Sequence, residues 1–134
     1  MCLILCAYEV HPSYRLILAA NRDEFYERPT QPAAFWPDAP GVLAGRDLLH
    51  GGTWLGVTRA GRFAAVTNYR DPSAKLDGAP SRGALVADFL AGAESPAAYA
   101  RDADARAAAY NGFNLLVGDA RGLYYLSNRG GPPR

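Results

Sequence analysis

Ala19-Ala20-Asn21-Arg22-Asp23-Glu24-Phe25-Tyr26-Glu27-Arg28-Pro29 decides how this chain begins to fold, because an apolar run ends there in four polar or charged residues before a proline stops local structure. Residues 15–20 read as a buried strand, which sets Asn21, Arg22, Asp23 and Glu24 at a strand end, where sheets present functional groups. Arg22 stands beside two carboxylates, and buried charge has to be paired or neutralised. Two readings fit the tetrad: an ordinary polar turn with a surface salt bridge, or a site wired with ion pairs.

The preceding run, Cys2-Leu3-Ile4-Leu5-Cys6-Ala7-Tyr8-Glu9, is a second strand, and His11-Pro12-Ser13-Tyr14 is a short polar link of the kind that closes a hairpin. In an antiparallel pair the start of the first strand lies beside the end of the second, so Cys2 is expected next to residues 21–24. A small residue at position 2 permits removal of Met1. The chain would then begin with a thiol and an α-amine of pKa about 7.7–8.0 on one residue, a nucleophile with its own base near neutral pH. On one strand Cys2 and Cys6 stand about 13 Å apart, too far for a disulfide, so both are expected as free thiols, Cys6 buried in mid-strand. Both faces of residues 2–7 are apolar, which predicts cover on both sides.

Five motifs now stand in order along the chain: Cys2; Asn21-Arg22-Asp23-Glu24 running on to Thr30; Gly51-Gly52-Thr53-Trp54-Leu55-Gly56; Thr67-Asn68-Tyr69-Arg70-Asp71-Pro72; and Ser127-Asn128-Arg129-Gly130. Together they resemble the NRDE family, also called the Transport and Golgi organization protein 2 family. The resemblance implies an α+β fold like that of the N-terminal-nucleophile hydrolases, a layered sandwich of antiparallel sheets and helices. Family members are about twice as long, so it also implies that residues 1–134 form one NRDE-type domain of which only the N-terminal half is present. Animal members are linked to secretory organisation, mitochondrial lipid metabolism, and haem or acyl-CoA handling.

Bulk properties narrow the function classes. A net charge of +1 gives no case for nucleic acid or an anionic membrane surface. No apolar run approaches the roughly 18–20 residues that span a bilayer, and residues 1–10 lack the basic leader of a signal peptide, so a cytoplasmic location is expected. His11 and His50 lack partner motifs, so neither a metal site nor a cofactor is called for.

Pro32, Pro37 and Pro40 make residues 29–52 read as irregular. Residues 53–58 and 62–67 form a hairpin around Gly61, ending in Asn68. An asparagine at a strand end either caps a turn or donates to developing negative charge; the choloylglycine-type hydrolases, which the family resembles in fold, use one for the oxyanion. Ser81 caps a helix over residues 82–91 with an apolar stripe at Leu85, Val86, Phe89 and Leu90, and Ser95-Pro96 starts a second through about Tyr110. Strands 113–118 and 123–127 follow. As an apolar edge of a half-domain, either would invite self-association through an open sheet edge.

The site expected from these readings gathers Cys2 as nucleophile, Arg22 and Asp23 to orient it, and Asn68 to hold the oxyanion of a small amide or thioester. Asn21, Glu24, Arg28, Trp54, Tyr69 and Arg70 would contact the substrate. In choloylglycine hydrolases the supporting arginine and aspartate are three apart; Arg22 and Asp23 are adjacent. The alternative is a non-catalytic carrier of a lipid, an acyl-CoA thioester or haem, with Arg22, Arg28 and Arg70 meeting acidic groups and Phe25, Trp54 and Tyr69 covering the apolar part.

Overall fold

The computed structural model describes residues 2–130; Met1, whose removal the sequence suggests, lies outside them. Strands β1 (Leu3–Tyr8) and β2 (Leu16–Asn21) pair antiparallel as a two-stranded sheet. Strands β3 (Thr30–Trp36), β4 (Ala39–Asp47), β5 (Leu55–Thr58), β6 (Phe63–Asn68), β7 (Phe113–Asp119) and β8 (Gly122–Ser127) form an antiparallel six-stranded sheet in that spatial order. Helices α1 (Arg82–Ala91) and α2 (Pro96–Ala105) lie between β6 and β7 in the chain. The fold is α+β, and among the described residues no helix is long and apolar enough to cross a membrane.

The core lies between the helices and one face of the large sheet. Val42, Ala44, Ala64, Val66, Leu115 and Val117 meet Leu85, Val86, Phe89 and Leu90, the whole stripe read from the sequence. Ser81 Oγ accepts from Gly83 N at 3.3 Å to cap α1. At the other end of α1, Arg62 donates to the carbonyls of Phe89 (2.6 and 3.1 Å) and Glu94 (2.8 Å), with its guanidinium over the Phe89 ring. Burial pushes the Arg62 guanidinium down, and those carbonyls compensate it.

Strand alternation turns Phe63, Gly118 and Leu123 to the opposite sheet face, where the hairpin's Tyr8, Arg15 and Leu16 border a small cavity with them. Arg15 also donates to the Ala120 carbonyl. No residue of the two hairpin strands is fully buried, and the hairpin meets the rest of the fold at its two ends.

Four expectations change. Residues 29–52 contain two strands: Pro32 falls where the β3–β4 register shifts, on the outermost strand, so no sheet neighbour needs its missing N–H. The first strand is not covered on both sides. Leu3 and Leu5 on one face are 52% and 61% exposed, and Cys6 on the other is exposed as well, because β1 and β2 pair only with each other and no layer of the described residues buries either face of the strand. Strand β7 is paired on both sides, leaving β8 and β3 as the edges of the large sheet. Helix α2 ends at Ala105, short of Tyr110, because Asn128 Nδ2 donates to the carbonyls of Ala107 (3.1 Å) and Tyr110 (3.2 Å) and draws the chain into a 3-10 turn.

The β4–β5 loop crosses the start of α1 so closely that a Cβ on Gly52 would lie 2.6 Å from the Gly83 carbonyl carbon, whereas one on Gly41 would meet nothing within 4 Å. Gly52→Ala is therefore expected to lose about 1–3 kcal/mol in urea unfolding, the cost of overpacking against backbone. Gly41→Ala, the control, should be neutral or slightly stabilising. Equal effects would refute the contact.

Candidate functional site

The hairpin ends at a cavity of about 580 Å³, whose wall is completed by the start of β3, the end of β4 and the loop that follows it, the end of β6 and the first turn of α1. Register places Cys2 there: Leu3 pairs with Asn21, the Asn21 side chain extends the ladder by accepting from Leu3 N (3.0 Å), and Asp23 N donates to Cys2 Sγ (3.4 Å). Cys2 is half-buried. The other thiol, Cys6, is exposed and does not line the cavity.

The charged residues around Cys2 are mostly spent on one another. Arg22 NH2 is 2.8 Å from Glu24 Oε2, and Glu24 Oε1 accepts from Phe25 N at 3.0 Å. Arg28 lies 3.5 Å from Glu24 and donates twice to Asp47, at 2.6 and 3.2 Å. The Arg28 hydrogen bonds hold the Asp47 carboxyl below the usual range, helped by Leu49 N, and raise Arg28 in turn. The tetrad is a turn locked by ion pairs, and its Arg22, Asp23 and Glu24 line the cavity.

Of the ten residues singled out in the sequence, Cys2, Arg22, Asp23, Glu24, Arg28, Trp54 and Asn68 line the cavity. The Asn68 side-chain amide makes no hydrogen bond among the described residues. Asn21, Tyr69 and Arg70 are not in the wall. Asn21 is used in the ladder; Tyr69 donates its N–H to the Gly112 carbonyl and packs on Gly112; Arg70 is exposed on the surface. Phe25 is also turned out, 81% exposed.

Sequence reasoning missed Arg82, His50 and Asn111, which do line the cavity. Arg82 carried a signal: a cation in the first turn of a helix opposes the macrodipole. Its NH1 donates to the Gly112 carbonyl at 2.8 Å, and burial pushes its guanidinium down. Asn111 is held by two bonds to the Leu76 backbone. His50 has no companions for a metal: among the described residues no three His, Cys, Asp or Glu side chains are grouped to hold one.

Ser127-Asn128-Arg129-Gly130 is a latch behind the cavity. Asn128 Oδ1 accepts from Phe113 N (2.8 Å) while its amide gathers carbonyls, Ser127 Oγ bonds the Phe113 carbonyl (3.3 Å), and Arg129 reaches Asp71 (3.9 Å).

A family profile described as Transport and Golgi organisation 2 matches residues 1–133. The Transport and Golgi organization protein 2 homologs of Bos taurus and Homo sapiens are each 42% identical over 97% and 98% of this chain, and the match covers 51% and 52% of their own length. The Transport and Golgi organization protein 2 of Drosophila melanogaster is 39% identical over 70% of the chain. The chain thus spans about half the length of the curated mammalian relatives it matches.

The Arg28–Asp47 pair makes a pH prediction. Asp47 has a lowered pKa in the folded chain, so its contribution is present above the unfolded value near 3.9 and lost as pH falls through the folded value. Asp47→Asn is expected to cost about 1.5–3 kcal/mol at pH 7, the range for charged hydrogen bonds. The gap from the parent should close as denaturation is repeated from pH 5 down to pH 2. A gap that does not change with pH would exclude the ion pair as its source.

Proposed function

Because this chain belongs to the Transport and Golgi organisation 2 family, we propose that the cavity is the site of an N-terminal-nucleophile hydrolase acting on a small amide or thioester. The observation that carries this is the sharing of one cavity wall by Cys2, whose Sγ accepts from Asp23 N, and Asn68, whose amide has no partner among the described residues. After loss of Met1, the Cys2 α-amine takes the thiol proton as Sγ attacks the carbonyl carbon. The carbonyl π electrons move to oxygen, and Asn68 with backbone N–H groups stabilises that oxyanion. Collapse expels the amine or thiol, which receives the proton. Water then cleaves the acyl-Cys2 thioester by the same steps, releasing a carboxylic acid and restoring the thiol. Arg22 serves through Glu24, holding the turn that presents Asp23 N.

The cavity volume also favours a second reading. About 580 Å³ falls within the range that encloses a whole small ligand, which suits a carrier of an acyl thioester, a lipid or haem without turnover.

Three measurements separate these readings. The intact mass of purified protein should show Met1 absent; Met1 retained would end the N-terminal-nucleophile mechanism and leave the carrier. Cys2→Ala should abolish turnover while ligand affinity is unchanged, as for a group that acts only in the chemical step; a parent chain that binds its ligand without turnover is a carrier. Asn68→Ala should lower kcat by about 100- to 1,000-fold with little change in KM, and an unaltered kcat would remove Asn68 from the oxyanion role.

A further inference from the structure

The arginines of the cavity wall fall into two groups. Arg22 faces Glu24, Arg28 faces Asp47 and Glu24, and Arg46 faces Asp38. Arg82 has no carboxylate partner among the described residues; it holds one neutral carbonyl, that of Gly112. Arg62 is the instructive contrast. It too is desolvated and lacks a carboxylate, but three of its N–H donors are bonded to carbonyls and its plane lies over the Phe89 ring at the end of α1. Arg82 is half-buried, always charged, and has five N–H donors, of which one is bonded among the described residues. A cation withdrawn from water without an anion is costly unless something completes it, and the open side of this one is a cavity that also holds Cys2.

We infer that Arg82 is a specificity-determining residue that receives an anionic oxygen group, carboxylate or phosphate, of the compound bound beside Cys2. The planar guanidinium fork matches both groups through paired N–H donors. The inference rests on the cavity being the ligand site and narrows its substrate class: an amide or thioester that carries a separate anionic group. It also moves that recognition away from Arg22 and Arg28, whose charges are already answered, and from Arg70, which lies outside the wall.

The two cysteines provide a test that needs no turnover. Iodoacetate and iodoacetamide alkylate a thiolate by the same displacement, sulfur to carbon with loss of iodide, but only iodoacetate carries a carboxylate. Both reagents would be applied separately to the folded chain at pH 7.5 and each cysteine followed by peptide mass spectrometry, with Cys6, outside the cavity, as internal reference. The iodoacetate-to-iodoacetamide rate ratio is expected to be about tenfold or more higher at Cys2 than at Cys6, the scale of one charged hydrogen bond. Arg82→Gln should bring the two ratios together; any change it makes in the thiolate fraction of Cys2 acts on both reagents alike and cancels in the ratio. Arg82→Met, which keeps the packing of the stem, replaces it if the glutamine variant does not fold. Inorganic phosphate and butyrate at matched ionic strength would then be compared as protectants of Cys2: protection by either supports the inference and identifies the anion, and protection by neither overturns it. Equal ratios at the two cysteines in the parent, or a preference that survives loss of Arg82, also overturn it. A chain with the preference but no hydrolysis would lose the hydrolase and keep this inference; a hydrolase with equal ratios would do the reverse.

Discussion

The architecture of the cavity depends on a steric constraint between two glycines. Gly52 and Gly83 let the β4–β5 loop and the first turn of α1 meet backbone to backbone, with Thr53 N bonded to the Gly83 carbonyl at 3.2 Å. That contact settles where Ser81 and Arg82 lie relative to Trp54, and so where the sheet and helix layers leave a gap. The helix is tethered at its other end by Arg62, so neither end can slide without breaking backbone contacts. The hairpin needs no such precision along its length, only at the end where β1 pairs with β2 beside the gap and brings Cys2 to its edge.

Within this frame the polar groups divide by what satisfies them. Arg22, Glu24, Arg28 and Asp47 form a run of ion pairs, partly withdrawn from water, that stiffens the turn after β2 and ties it to β4. Such pairs contribute rigidity more than net stability, since desolvation offsets much of their attraction. Asn68 and Arg82 are left with hydrogen-bonding capacity facing the cavity. Polar groups that the fold does not satisfy itself are the ones available to a ligand.

Much of this was legible from short-range signals. The α1 stripe, the Ser81 and Ser95 caps, the hairpin about Gly61 and the adjacency of Cys2 to the tetrad follow from local spacing and antiparallel geometry, and all are present. What could not be read depends on neighbours distant in sequence. Proline density around Pro32 argues against a strand only if both its sides must pair, and β3 pairs on one side. Cys6 sits in an apolar run that promises burial, but burial needs a covering layer that the described residues do not supply. Tyr69 and Arg70 follow Asn68 directly, yet the chain turns at the end of β6 and carries them away from the cavity. Arg82 was visible only as a misplaced charge at a helix start.

The motifs that mark the family also separate by physical role. Asn128 and Ser127 close the α2–β7 connection onto β8, and Asp71 with Arg129 ties the chain after β6 to the same corner; none of them is in the cavity wall. Gly52 acts through shape, by admitting a backbone. Cys2, Asn68 and Arg82 are different, because none of them belongs to the core between helices and sheet. Membership of the family, as judged by the latch and the glycine contact, is therefore evidence about fold, and a relative could keep both while its chemistry changed. On the proposed reading, shared chemistry would be judged at the Cys2 thiol, the Asn68 amide and the Arg82 guanidinium, none of which the packing of the core dictates.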